Sequence, residues 1–273
     1  MKLVAEVGIN HNGDIDLARC LIDQAKAAGW HYVKFQKRTV RKVIPKSDWD
    51  KPKDTPYGTM PYIAYKEMLE FDQSDYELID KHCQLHRLEW FASPWDVDSV
   101  TFLQQWECPY IKVASACLTN HELLYAIKQT GQPVIISTGL ADKAIFDKAW
   151  DIVGPSVEYI LACTGTYPSK PNEQNLAFIR TLKQDYGTKV GFSNHSPGIL
   201  YAAAAKCFGA EMVECHVTLD RSMWGSDQSA SIEPEGMHKL AKYMSGLSEA
   251  IGSGEWEFFE REKQVAAKLR KAQ

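Results

Sequence analysis

The sequence predicts an α/β protein folded as a single (β/α)8 TIM barrel, and three observations carry that expectation. Eight short apolar, β-branched runs alternate with longer segments of helical period. The connections between most of them are short, as right-handed strand-helix-strand units require. The 273 residues suffice to close one such barrel. A doubly wound open sheet is the competing architecture, but it has fewer strands and a Gly-x-Gly-x-x-Gly phosphate loop after the first, and GINHNG at 8–13 lacks that spacing.

The runs in order are LVAEVG (3–8), YVKFQ (32–36), LEWFAS (88–93), YIKVAS (110–115), PVIIST (133–138), YILACT (159–164), KVGFSN (189–194) and MVECHV (212–217). Between them, stretches such as DLARCLIDQAKAAG (16–29) and DYELIDKHCQLHR (75–87) repeat apolar residues at three and four and end on Gly or a basic residue, the pattern of a surface helix. Two segments exceed what a barrel needs. Residues 37–63, rich in Pro, Lys and Asp, form a long loop over one mouth after strand two, and 220–236 form another after strand eight. Residues 1–252 then make the barrel, and 253–273 make an amphipathic helical tail, with Trp256, Phe259, Ala266 and Leu269 on its apolar side for packing or dimer contact.

With 31 Lys+Arg against 35 Asp+Glu the net charge is −4, and neither sign forms a block suited to nucleic acid or a membrane surface; a small-molecule partner is expected. Seven scattered cysteines without a Cys-x-x-Cys pair read as reduced, mostly buried thiols. MKLVAEVGIN runs straight into a strand without the features of a signal peptide, and no window nears about 18 uninterrupted apolar residues, so a cytoplasmic location is expected.

In a barrel of this kind the active site lies at the carboxyl ends of the strands, so the polar residues there can be collected before the reaction is known. Strand one offers Glu6, Asn10 and His11, strand two Lys34 and Gln36, strand three Ser93, and strand four Lys112 and Ser115. Later strands add Ser137 and Thr138, Thr164 with Tyr167, Ser193 with Asn194 and His195, and Glu214 with His216. A single Ser or Thr at such a place is ordinarily a helix cap or loop closure. Lys34 and Lys112 are different, because an unpaired ammonium inside an apolar strand costs several kcal/mol. They need anions, and hydroxyls from four strands around one axis suit a phosphate or carboxylate.

A lone histidine such as His216 at the edge of an apolar strand is more often a satisfied core residue. His195 ends the neighbouring strand, however, and two imidazoles at one mouth without a thiolate partner suit a catalytic divalent cation with open positions. Cys215 should face the helices, whereas Glu214 shares the barrel side of His216 and is placed to orient water or act as a base.

At these residues the sequence resembles the N-acetylneuraminate (sialic acid) synthase family, whose members make nonulosonic acids from phosphoenolpyruvate and a hexosamine-type aldose. The likeness runs through AEVGINHNG, YVKFQ, ASPWD, YIKVAS, ISTG, ACTGTYP, GFSNHS, ECHVT and GSDQSASIEP, in order along the barrel. The resemblance implies that His195 and His216 bind a manganese-type ion, with magnesium or cobalt as substitutes, which holds the aldehyde oxygen. It also implies that Ser93, Lys112, Ser115, Ser137 and Ser193 hold phosphoenolpyruvate and that Glu6, Lys34, Gln36, Tyr167 and Asp227 face the sugar. C3 of phosphoenolpyruvate would attack the aldehyde, water activated near Glu214 would add at C2, and phosphate would leave by C–O cleavage. Glu6, Lys112 and Glu214 are the expected catalytic groups, and a homodimer is the expected assembly.

The sequence departs from the family at Gly165, where members often have Asn, at Cys117, where some have Glu, and at Asn194, where many have Asp before the metal histidine. Members usually continue into a small antifreeze-like domain that reaches across a dimer to cap the sugar site. Without it, recognition of the acyl group is expected from residues 37–63, the tail or a separate protein, unless the preferred sugar lacks that group. Two other readings stay open at this point: a class I aldolase with a Schiff base on Lys112, and a non-catalytic barrel that binds a sugar or partner.

Overall fold

In the computed structural model, which describes residues 1–270, the eight apolar runs become eight parallel barrel strands whose ends differ from the sequence reading by at most two residues. In chain order the strands are β1 (Lys2–Gly8), β2 (Tyr32–Lys37), β3 (Pro52–Thr55), β4 (Gly58–Pro61), β5 (Glu89–Pro94), β6 (Ile111–Val113), β7 (Val134–Ser137), β8 (Val157–Cys163), β9 (Lys189–Asn194) and β10 (Met212–His216). The closed order is β1-β10-β9-β8-β7-β6-β5-β2, with β3 and β4 standing apart as a hairpin. The helices are α1 (Ile15–Ala27), α2 (Val40–Val43), α3 (Tyr62–Met68), α4 (Gln73–His86), α5 (Val97–Leu103), α6 (His121–Gln129), α7 (Lys143–Val153), α8 (Phe178–Tyr186), α9 (Leu200–Ala205), α10 (Pro234–Ala250) and α11 (Glu260–Leu269).

Local chemistry sets where the longer helices begin. Asp14 accepts hydrogen bonds from the amides of Asp16 and Leu17 at the start of α1, and Asp72 and Asp75 cap each other's backbone at the start of α4; each such cap is worth about 1 kcal/mol. The barrel's two faces carry different cores. Outside, the helices pack on residues such as Ala5, Val33, Val113, Ile136 and Cys215, so Cys215 faces the helices as the alternation requires.

Inside, Val4, Tyr32, Phe91, Tyr110, Ile135, Tyr159, Leu161 and Met212 form an apolar plug. Its rings meet edge to face, with Tyr32–Phe91 centroids 5.8 Å apart and Phe91–Tyr110 centroids 5.7 Å apart. Gly191 makes room for it: a Cβ there would stand 2.5 Å from Leu161 Cδ2. Two residues further along each strand the side chain again points inward, one layer nearer the mouth. Val4 leads to Glu6, Tyr32 to Lys34, Phe91 to Ser93, Tyr110 to Lys112, Ile135 to Ser137, Leu161 to Cys163, and Met212 to Glu214 and His216. The plug is the floor of the site, and the same parity that builds it builds the site above.

Residues 37–63 are more ordered than a loop. Pro56 and Tyr57 turn β3 back on β4, Thr55 Oγ1 donates to the Gly58 carbonyl at 2.7 Å, and Gly58 takes the positive φ of 103° that favours glycine. Residues 220–233 are irregular apart from a 3-10 turn at Gln228–Ala230, but tethered: Asn10 Nδ2 donates to Ser231 Oγ and Asn12 Nδ2 to Trp224 O, both at 2.8 Å. Of the two uses expected of the tail, packing or dimer contact, packing on the barrel is not seen: α11 buries none of its residues and Trp256 is fully exposed. The cysteines also depart from expectation: only Cys83, Cys117 and Cys215 are buried, while Cys20 and Cys207 are exposed. Among the described residues no helix is long and apolar enough to cross a membrane.

Candidate active site

The layer above the plug is a buried ion network. Lys34 Nζ lies 2.6 Å from Glu6 Oε2, 3.3 Å from Ser93 Oγ and 3.9 Å from Glu214 Oε2. Lys112 Nζ lies 3.4 Å from Glu214 Oε1, which also accepts from Ser193 Oγ at 3.0 Å. All four charged side chains are at most 5 % exposed, so each ammonium has found the anion its burial demands. Burial favours the neutral form of Glu214, but Lys112 and Lys34 outweigh it, and the carboxyl is held well below the ordinary range. The two lysines diverge. Burial lowers Lys112 in spite of Glu214, whereas for Lys34 the carboxylates of Glu214 and Glu6 overcome burial and raise it.

The histidines form the next layer. His195 Nδ1–H donates to the Thr164 carbonyl at 2.7 Å, which leaves Nε2 as the lone-pair nitrogen facing the pocket. The Tyr167 hydroxyl lies 2.7 Å from that nitrogen and 3.2 Å from His216 Nε2, so one oxygen sits between two converging imidazoles. Burial, helped by nearby His216, lowers the His195 pKa to about 3, so both its tautomer and its neutrality suit a metal ligand. His216 Nδ1 is buried without a hydrogen-bond partner, and the carboxylate of Asp227 stands 3.8 Å from it.

The pocket over these two layers has an empty volume of about 660 Å3, including its open mouth. It is lined by Glu6, Lys34 and Gln36, by Ser93, Lys112 and Ser115, by Ser137, Tyr167 and Ser193, and by His195, Glu214 and His216. Of the residues given a metal, substrate or catalytic role from the sequence, Asp227 is the one outside the lining, at the rim beside His216, and of the other strand-end candidates Asn10, His11, Thr138, Thr164 and Asn194 do not line it either. Gln36 Nε2 donates to Glu6 Oε1 at 2.8 Å, and its own carbonyl accepts from Arg38, which stacks on Trp95. Ser137 Oγ is buried with no partner, a donor left free for a ligand. Gly139 keeps Ser115 in place, because a Cβ there would lie 2.8 Å from Ser115 Oγ.

Sequence reasoning missed Cys163, whose Sγ lies 3.7 Å from His195 Nδ1 and lines the pocket. Its parity with Tyr159 and Leu161 was the available signal. Other strand-end residues are structural: His11 stacks on Phe71 at 3.9 Å and accepts from the Gly13 amide, and Asn194 bonds the Ser196 and Gly198 carbonyls away from the pocket. An amide in place of a carboxylate at Asn194 therefore leaves the pocket lining unchanged. Cys117, also a departure from the family, belongs to the outer core.

The NeuB family model matches residues 21–256, most of the barrel and its pocket. The chain belongs to the NeuB family. A Campylobacter jejuni N,N'-diacetyllegionaminic acid synthase is 32 % identical over 263 residues, covering 92 % of this chain and 78 % of that one. Mouse N-acetylneuraminate-9-phosphate synthase is 32 % identical over 255 residues, covering 92 % and 71 %. The crystal structure of an N-acetylneuraminic acid synthetase from Leptospira borgpetersenii, in complex with citrate, superposes with a TM-score of 0.84 at 29 % identity, over 99 % of this chain and 92 % of that one. NeuB membership thus rests on sequence and fold together, and this NeuB chain is similar to enzymes of sialic and legionaminic acid synthesis.

Proposed function

We propose that this NeuB chain condenses phosphoenolpyruvate with an open-chain aldose of N-acetylmannosamine type, giving a nonulosonic acid and inorganic phosphate. The observation that carries the reading is one pocket with two halves: converging Nε2 atoms of His195 and His216 on one side and the Lys34, Lys112 and serine basin on the other. His195 and His216 would hold a divalent ion, manganese first, with magnesium or cobalt also suited. The neutral, Thr164-oriented imidazole of His195 fits that role. When bound, such an ion supplies Lewis-acid polarisation of an aldehyde oxygen.

The chain's own residues account for the rest. Lys112, Ser93, Ser115, Ser137 and Ser193 hold the carboxylate and phosphate of phosphoenolpyruvate, while Glu6, Gln36, Tyr167 and Asp227 face the sugar and Lys34 spans both halves. An incoming anion competes with Glu214 for Lys112 and Lys34, so Glu214 loses the partners that depress its pKa and becomes the stronger base. It is then placed to take a proton from water adding at C2. A bond forms between C3 and the aldehyde carbon, and the bond from C2 to the phosphate oxygen breaks. Of the two water protons, one ends on the new hydroxyl and the other on phosphate.

Phosphate release and product mass from purified protein with Mn2+, phosphoenolpyruvate and a panel of aldoses test the proposal. EDTA should abolish turnover, and borohydride with pyruvate should add no mass to Lys112. No phosphate release with any aldose would overturn it. Residues 1–252 are the proposed catalytic unit and 253–273 an appended tail, with the protein working as a cytoplasmic homodimer; analytical ultracentrifugation checks the assembly.

A further inference from the structure

On the outer wall of the barrel, at the end opposite the mouth, α4 carries His82 and His86 one helical turn apart, and α1 presents Asp23 to both. His82 Nε2 lies 2.7 Å from Asp23 Oδ1 and His86 Nε2 lies 3.2 Å from the same oxygen. The three ligand atoms all fall within 4.8 Å of one another. The imidazole centroids are 4.6 Å apart, so charging both rings would set two cations side by side over one carboxylate oxygen. A single ion pair needs one histidine; two aimed at one oxygen need a different explanation.

We propose that Asp23, His82 and His86 form a binding site for a divalent transition ion of zinc type, distinct from the mouth, which clips α1 to α4. Ligand atoms about 2.0–2.2 Å from a tetrahedral ion stand about 3.3 Å from each other, close to the spacing already present. Asp23 is half exposed and His86 one-third exposed, so the small opening required is unhindered, and water can complete the coordination. Arg19 Nε, 3.5 Å from His82 Nδ1, must turn away, since a neutral imidazole bound through Nε2 carries its proton on Nδ1; Arg19 is itself nearly half exposed. Two imidazoles and one carboxylate select zinc, cobalt, nickel or copper over magnesium.

The test is zinc titration of the EDTA-stripped full chain, by calorimetry and thermal unfolding, beside His82→Ala/His86→Ala and His195→Ala/His216→Ala proteins. In the His195→Ala/His216→Ala protein, which isolates this site, zinc at tenfold excess over the dissociation constant should raise the Tm by about 3–6 °C, and magnesium should not. Relative to the unmodified chain, the α4 variant should lose one equivalent of zinc and this share of the Tm response, keeping only what the mouth supplies. An unchanged stoichiometry and Tm response in the α4 variant overturns the proposal. Should that variant fail to fold, Asp23→Asn, which keeps both imidazoles, should bind zinc at least tenfold more weakly; unchanged affinity there overturns it equally. A mouth without zinc affinity would count against the proposed reaction and leave this site standing.

Discussion

Replacing Glu214 with Gln tests the buried ion network directly. In the native pocket Glu214 accepts from Ser193 at 3.0 Å and faces Lys112 at 3.4 Å and Lys34 at 3.9 Å. Gln keeps the shape and one acceptor oxygen but removes the charge. The single remaining carboxylate, Glu6, pairs with Lys34, and Lys112 loses its only ion-pair partner among the described residues. Removing one member of a buried pair costs about 3–5 kcal/mol, because the remaining charge stays desolvated. For a chain of this size that corresponds to a Tm about 6–20 °C lower. The same reasoning demands a rescue. Inorganic phosphate or phosphoenolpyruvate supplies the missing anion, so either should stabilise Glu214→Gln more than it stabilises the unmodified protein. Differential scanning calorimetry with and without phosphate measures both effects. A Glu214→Gln protein within about 2 °C of the native Tm, with no enhanced response to phosphate, would refute the view that this carboxylate neutralises the basin.

Three further outcomes follow from the same geometry. His216→Ala should abolish turnover and the manganese-dependent rise in Tm while leaving the circular dichroism spectrum intact; a collapsed apo protein that keeps its manganese response would make His216 structural. His11 and His195 are buried neutral, with burial lowering each pKa from 6.5 to about 3, so the unfolded chain binds more protons than the folded one across that interval. Their contribution to stability should be complete above about pH 6.5 and fall as the pH drops towards 3, steeper than in a His11→Phe protein when followed by urea unfolding. Gly139→Ala should push Ser115 from the pocket and raise KM for phosphoenolpyruvate by about tenfold or more, the loss of one hydrogen bond to a charged group, with little change in Tm.

How much of this site was legible in the sequence follows from how its residues are encoded. Parity along a strand is local: once LVAEVG, YVKFQ and MVECHV are strands, Glu6 must follow Val4 inward, Lys34 must follow Tyr32, and Glu214 and His216 must share a face. An unpaired lysine in an apolar run cannot be a neutral choice, so Lys34 and Lys112 announced their anions before any distance was known. What parity does not encode is which side chain answers which. The sharing of Glu214 by two lysines, the Tyr167 hydroxyl between two Nε2 atoms, and the Thr164 carbonyl that sets the His195 tautomer depend on how far each strand climbs before its loop departs. Cys163 obeyed the same parity as its neighbours yet passed unnoticed, because a lone thiol reads as core. The hairpin in residues 37–63 was hidden by its Lys, Asp and Pro content, which resembles a loop until Pro56, Tyr57 and Gly58 are seen as a turn. His82 and His86 lie within one helical segment, and their spacing of four puts both on one face. Only the packing of α1 against α4 brings Asp23 to meet them, and that contact lies 59 residues away in sequence.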